Sequence, residues 1–435
     1  MHPKSPGQAS ERRTLIEAIV ASTVGTTIEW YDFFLYGTAA ALVFPALFFP
    51  SFDPFIGQIL SFLTFTSGFI ARPLGGILFG YLGDRIGRKA TLVATLLLMG
   101  ISTLVIGFLP TYHEIGATAP VLLSLLRFVQ GIGVGGEWGG AVLLALEFGH
   151  RGRRGFYASW PQAGVPLGLL ASTGVVALLK STLSDEAFLD WGWRVPFYLS
   201  GLLIAVGLAI RIRIMETPLF TKLKEKNEVA EAPVVEVLRK HWREVILAAG
   251  TRLAENSCFY LFSTYIAAYG STVLGVDSAL ILWGVNLAAA AEFCTIPVFG
   301  LLSDRLSRRA VFVAGCLGLA IFAFPYYALL ETRQPVWIIL AIVASLAGGH
   351  AMVYSVQGSL IPELFDTRVR YTGASLGYQL AAPFAGGLAP VIAATLVKRF
   401  EGQYWPLAVY IIAISGISLV SVLLLAETSR KDISV

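Results

Sequence analysis

Stretches without a single formally charged side chain recur along this 435-residue chain, and they constrain its fold more than any motif does. Residues 90–113, 155–179, 195–210, 256–276, 310–330, 334–362, 371–397 and 402–426 hold no Asp, Glu, Lys or Arg, and between Asp32 and Arg72 the only charge is Asp53. A helix needs about 20 apolar residues to cross a hydrocarbon core about 30 Å thick, and an uncompensated charge inside that core is expensive. With further runs around Leu60, Leu125 and Leu287, the pattern predicts twelve spanning helices, at 17–44, 56–80, 88–110, 119–147, 158–180, 195–214, 245–270, 280–303, 309–330, 335–361, 370–397 and 404–426. The expected fold class is all-α and polytopic, because runs of this length exclude the short alternating strands of a membrane β-barrel. Composition agrees: 56% of residues are hydrophobic and 14% charged, where a soluble protein carries about 25% charged.

The placement of the 32 Lys and Arg residues sets the orientation. With the amino terminus inside, 24 fall in inner loops and termini, five in outer loops (Lys180, Arg194, Arg333, Lys398, Arg399) and three within spans (Arg72, Arg127, Arg252). Both termini are therefore expected in the cytoplasm, in a plasma (inner) membrane. Topology accounts for the net charge of +4, so no nucleic-acid partner is implied. The first span carries Glu29 and Asp32 and lacks a small-residue cleavage site, so it is read as a retained helix. The three cysteines, Cys258, Cys294 and Cys316, sit in apolar runs without metal-ligand spacing, and the five histidines are scattered. No metal, organic cofactor or membrane-enzyme constellation is expected, and a monomer is.

An internal repeat divides the chain. Residues 80–89, Gly-Tyr-Leu-Gly-Asp-Arg-Ile-Gly-Arg-Lys, return at 300–309 as Gly-Leu-Leu-Ser-Asp-Arg-Leu-Ser-Arg-Arg, an offset of 220. Glu147, Arg154 and Ser159 map onto Glu363, Arg370 and Ser375 at an offset of 216, and Glu216-Thr217 onto Glu427-Thr428 at 211. The reading is two parallel six-helix halves, 1–214 and 244–435, joined by a charged cytoplasmic linker at 215–243.

The 80–89 loop resembles the signature between helices 2 and 3 of the major facilitator superfamily. More narrowly, Glu29-Trp-Tyr-Asp32-Phe-Phe-Leu-Tyr-Gly37, Ala71-Arg72-Pro73, Arg127-Phe-Val-Gln-Gly131 with Glu137-Trp138, Trp191-Gly-Trp-Arg194-Val-Pro196 and Glu216-Thr-Pro218 resemble the metabolite:proton symporter family over nearly the whole chain. The second signature departs from the first, Ser303 and Ser307 replacing Gly83 and Gly87. The resemblance implies proton-coupled symport of a small metabolite by alternating access, a carboxylated one being the first reading and a zwitterionic osmolyte such as betaine or proline the alternative. Glu137-Trp138 and the 191–196 motif argue against a drug exporter or a sugar facilitator.

Eight formal charges fall within spans: Glu29, Asp32, Arg72, Arg127, Glu137, Arg252, Glu255 and Glu292. At about 3 kcal/mol each, eight lone charges would cost about 24 kcal/mol, above a typical folding stability of about 5–15, so they must be paired, hydrated or protonated. Three arginines against five acids leave a surplus of two negative charges. Asp32 and Glu137, with Glu29 third, are the proton-coupling candidates; a static salt bridge between helices is the competing role for the same residues. Helical spacing places Glu29, Asp32 and Tyr36 within about 60° of arc, and Arg127, Gln130 and Glu137 within about 80°. Arg72 and Arg127 serve either as partners of the acids or as a cradle for a substrate carboxylate.

Gln162, Asn256, Tyr260, Tyr354 and Gln379 are substrate-binding candidates alongside Tyr36, Gln130 and Trp138, each equally able to bridge helices. Arg252 and Glu255, one turn apart, read as a structural pair; Glu292 is open to either role, and His350 reads as a packing residue. Asp84 and Arg88, Glu147 and Arg154, and their counterparts Asp304, Arg308, Glu363 and Arg370 are gating candidates, ion pairs made in one conformation and broken in the other. Gly131-x-Gly133-x-x-Gly136 fits the dinucleotide fingerprint but follows no strand, so its glycines are read as close helix contacts. Pro161 and Pro166, with Pro383 and Pro390, predict kinks at matching places in the fifth and eleventh spans.

Overall fold

The computed structural model describes residues 6–86, 88–148, 152–213, 233–366 and 369–431. Twelve long helices carry the fold: α1 (Pro6–Leu42), α2 (Pro54–Ile86), α3 (Arg88–Gly107), α4 (Thr118–Phe148), α5 (Arg154–Thr182), α6 (Val195–Arg213), α7 (Trp242–Tyr260, continued by Ile266–Thr272), α8 (Ser278–Arg305), α9 (Arg308–Glu331), α10 (Pro335–Glu363), α11 (Arg370–Arg399) and α12 (Trp405–Leu424). No strand occurs among the described residues. Ten of the twelve are long and apolar enough to cross a membrane. The exceptions are α1, diluted by Thr26, Thr27, Glu29 and Asp32, and α7, diluted by Arg252, Glu255 and Asn256 and carrying a π-helical turn at Leu261–Tyr265. Most of the expected 215–243 linker lies outside the described residues; Pro233–Lys240 within it is a short helix with Val237 buried.

Packing follows the repeat. Within the first half α2 lies on α4, α1 on α5 and α3 on both α4 and α6; within the second, α9 and α7 lie on α12 and α8 on α10. The halves meet where α5 packs on α8 and α2 on α11. Adding six to each helix number turns one of these contacts into the other, as a repeat of about half the chain requires. Small residues make the approaches close: a Cβ on Gly131 or Gly135 of α4 would strike the backbone of Gly68 or Arg72 on α2. The fingerprint-like glycines are therefore helix contacts.

The backbone winding at the two proline pairs differs. α5 runs unbroken through Pro161 and Pro166, whereas α11 stops being α-helical after Gln379, passes through a π turn at Pro383–Gly387 and resumes at Ala389. Pro383 precedes the Gly386-Gly387 pair, which packs directly on Phe69 and Asn256. Proline removes a backbone donor in both helices, but only in α11 do adjacent glycines let the backbone change its winding. A third π turn, Ala344–His350, interrupts α10.

Candidate functional site

Residues of α1, α2, α4, α5 and α11 line a narrow, partly open cavity between the halves. Its polar wall is Glu29, Arg72, Glu137, Gln162 and Gln379, and its aromatic wall Trp30, Trp138 and Tyr378. Six of the residues expected to act on substrate or proton therefore meet here: Glu29, Arg72, Glu137, Trp138, Gln162 and Gln379. The close α2–α4 contact sets Arg72 beside the α4 face that carries Glu137 and Trp138.

Arg72 is fully buried, and its guanidinium lies over Phe33 (4.1 Å), Phe69 (4.3 Å) and Trp30 (5.2 Å). Aromatic faces attract a cation but accept no strong hydrogen bond, and none of the three guanidinium nitrogens has an acceptor among the described residues. Glu137 pairs not with Arg72 or Arg127 but with Arg211 of α6, which also donates to the Leu92 carbonyl. Here the sequence reading is corrected. Arg211 falls inside the expected 195–214 span but is counted there with the inner-loop charges; α6 packs this side chain, 5% exposed, against α1 and α3. A ninth in-span charge brings the balance to four arginines against five acids.

Other expected residues lie away from the cavity. Asp32 shares the α1 arc with Glu29 but faces the opposite neighbours, accepting a 2.5 Å bond from the Ser200 hydroxyl of α6 close to Gly100 of α3. The expected single stripe is thus two environments, because a helix buried on all sides presents each 60° of arc to a different partner. Arg127 stacks on Phe33 (3.8 Å) and Tyr36 (4.4 Å) and donates to Gln130 (3.1 Å), which donates to Thr103 (2.6 Å). Tyr36 donates to Thr64 (2.8 Å), and Tyr260 fills an aromatic cluster with Phe33, Phe65 and Phe69. None of Arg127, Gln130, Tyr36, Asn256, Tyr260 or Tyr354 lines the cavity. They support its walls.

Contacts across the halves close it. Trp138 stacks on Tyr378, ring centroids 3.6 Å apart, and donates to Gln162, which donates to the Tyr354 carbonyl of α10. Gln379 donates to the Gly135 carbonyl (3.4 Å). Behind Tyr378 lies a buried network in the second half. Arg252 pairs with Glu255, donates to Gln357 (3.0 Å) and sits 3.5 Å over the Tyr378 ring. His350 Nδ1 lies 2.5 Å from Glu292 Oε1, and Nε2 3.5 Å from Glu255 Oε1. His350 is therefore held between two carboxylates rather than acting as a lone packing residue. The signal was available as acids on two other spans, but their meeting was not.

At the end of the bundle that bears the C-terminal segment, Asp304 accepts from the amides of Gly155 (2.8 Å) and Phe156 (2.9 Å), the positive end of α5. Arg308 joins Asp304 (2.7 Å) to Glu363 (3.3 Å), and Arg154 of the other half lies 3.6 Å from Glu363 and donates to the Lys431 carbonyl. Arg370 donates to the Phe365 carbonyl. Glu427 accepts from the amides of Arg308 and Arg309 at the start of α9, and Thr428 donates to Glu363. Burial pushes the Glu427 carboxyl up, but the backbone bonds from Ser429, Arg309 and Arg308 outweigh it and hold the group below its usual value. The side chains of Asp84, Arg88 and Glu147 lie outside the described residues.

Comparison with known proteins places this arrangement. The family model described as Major Facilitator Superfamily matches residues 33–379 and 283–434. The chain is 41% identical to the inner membrane metabolite transport protein YhjE of Escherichia coli, over 96% of this chain and 95% of that protein. It is 40% identical to the shikimate transporter of the same organism, over 95% of each. Its fold matches the partially occluded inward-open xylose transporter XylE from E. coli with a TM-score of 0.73 at 18% identity, over 97% of this chain and all of that one. The chain belongs to the major facilitator superfamily and is a multi-pass membrane transporter, not an enzyme.

Proposed function

We propose that this transporter imports a small carboxylated metabolite together with protons, by alternating access between its two halves, with both termini in the cytoplasm. The observation that carries the reading is Arg72: fully buried, on the cavity wall, its three guanidinium nitrogens without a hydrogen-bond acceptor among the described residues. Breaking a buried ion pair by removing one partner costs about 3–5 kcal/mol, which is the scale of penalty a guanidinium without a counter-ion carries. A planar carboxylate fits its donor fork.

Glu29 and Glu137 supply the coupling. A substrate anion entering beside them adds a negative charge to a closed site, and like charges about 4 Å apart repel by about 4 kcal/mol at an effective dielectric of about 20. A proton entering with the anion removes most of that penalty, which ties the two fluxes together. Asp32 is a second proton candidate, buried without an ion pair among the described residues. The Asp304–Arg308–Glu363–Arg154 cluster acts as the cytoplasmic gate, formed when that side is closed. The inner-loop excess of Lys and Arg supports the orientation, and the metabolite and shikimate names of the relatives support the substrate class.

The test is uptake by purified protein in liposomes with an inside-alkaline pH gradient, using labelled shikimate, a small dicarboxylate and glycine betaine. Accumulation of an acid, lowered at least tenfold by Arg72→Lys, is expected. Accumulation of none of the three, or of betaine alone with no effect of Arg72→Lys, overturns the reading. Asp32 and Glu137 lose their role if Asp32→Asn and Glu137→Gln both keep uphill uptake.

A further inference from the structure

We infer that the second half holds its own proton, shared between His350 and Glu292, and that this centre, not only the acids of the first half, couples transport to the pH gradient. The inference rests on the symport reading above and adds to it a site on different helices.

Arg252, Glu255, Glu292 and His350 form one cluster on α7, α8 and α10, with side chains no more than 6% exposed. With His350 neutral and both acids ionised, the cluster carries one uncompensated negative charge; with one added proton it is neutral; with two it is positive. Each uncompensated buried charge costs several kcal/mol. The closed conformation therefore retains a single proton. Geometry locates it between Nδ1 and Oε1, at 2.5 Å, with the imidazole edge toward Glu255 gaining from the same proton. Glu292 Oε2 has no hydrogen-bond partner among the described residues.

The surroundings leave few competitors. α7 contributes Glu255, Arg252 and the Phe259 ring at 5.0 Å; α8 contributes Glu292; α10 itself contributes the Tyr354 ring at 5.4 Å. α9 meets this stretch through Leu319, against Gly349. His350 ends the π turn of α10, and π turns are a recurrent way of aiming a side chain at a functional site.

Two contact routes join this centre to the cavity. Arg252 presses on Tyr378, which stacks on Trp138; Tyr354, under the His350 ring, accepts through its carbonyl from Gln162, which holds Trp138. Losing the proton leaves Glu255 and Glu292 competing for Arg252, so the cation that braces Tyr378 is pulled toward α8. Proton release and movement of the aromatic wall are thereby one event. The step is a proton transfer alone: the proton enters from water on one side, resides on the imidazole–carboxylate pair and leaves to water on the other.

The experiment separates coupling from translocation. Glu292→Gln and His350→Gln are reconstituted, and labelled shikimate, or glycine betaine if shikimate is not moved, is followed in two modes: uphill accumulation driven by a pH gradient, and exchange against unlabelled solute at equal pH. Expected is at least a tenfold loss of accumulation with exchange kept within about twofold. Accumulation equal to the unaltered protein in both variants overturns the inference. An unaltered protein that exchanges but never accumulates sinks the symport reading instead. A transport-independent arm covers variants that lose both modes: ¹⁵N-histidine NMR in nanodiscs is expected to show an Nδ1-bound proton on His350 that is absent in Glu292→Gln. An Nδ1 signal identical in the two proteins overturns the shared proton.

Discussion

Replacing Arg211 by Met removes the cation that faces Glu137 in the core of the first half. Both side chains are 5% exposed, and Arg211 also donates to the Leu92 carbonyl, so the variant strands a carboxylate and a backbone acceptor together. Removing one partner of a buried pair costs about 3–5 kcal/mol, whereas replacing both by uncharged residues of similar volume is close to neutral. At about 2 °C per kcal/mol, the low end suited to a large chain, Arg211→Met should lower the unfolding midpoint by about 6–10 °C. Glu137→Gln should cost about as much, because it strands Arg211 instead. The double variant should recover most of the loss, and with each single cost at about 3–5 kcal/mol the coupling energy should be about 5 kcal/mol or more in magnitude. The assay is built into the chain: Cys258 and Cys316 are buried and Cys294 exposed, so a thiol-reactive fluorophore reads unfolding above a fixed baseline. Single shifts below about 1 °C, or single effects that simply add in the double variant, would refute the assignment of Arg211 as the partner of Glu137.

Asp304→Asn weakens the acceptor that ties the first turn of α5 to α8. A loss of about 1–2 kcal/mol from the state closed at that end should lengthen the distance between spin labels placed at the exposed Arg153 and Arg305 in a larger fraction of molecules; an unchanged distance distribution would remove Asp304 from the gate. Glu427, held below its usual value, contributes stability that is fully present above the unfolded value of about 4.5 and is lost as pH falls through the folded one. Glu427→Gln should therefore be less stable at neutral pH and show a shallower acid decline, read from unfolding midpoints between pH 3 and 7; parallel curves would contradict this.

Much of the fold was legible before any coordinates. Charge-free runs mark the helices because water-loving groups cannot be left in hydrocarbon, and the 220-residue offset is borne by the α5–α8 and α2–α11 contacts. Residue choice along each helix was also readable in part: of the thirteen proton and substrate candidates, Glu29, Arg72, Glu137, Trp138, Gln162 and Gln379 line one cavity, and Asp32, Tyr36, Arg127, Gln130, Asn256, Tyr260 and Tyr354 do not. Helical periodicity gives a direction around an axis, but not what stands there. Asp32 and Glu29 share a face by angle and are divided by the helices packed against them.

What the chain alone determined is therefore set by solvent and periodicity: twelve helices, their pairing into two halves, and the fact that a handful of charges must be satisfied inside. Which charge satisfies which was decided by tertiary packing. Arg211 lies near a helix end, where a charge normally reaches water, until α1 and α3 bury it against Glu137, and His350 becomes a link between Glu255 and Glu292 only when α7, α8 and α10 converge. Electrostatic partnership depends on distance in space and on the exclusion of water, and neither is written along the chain.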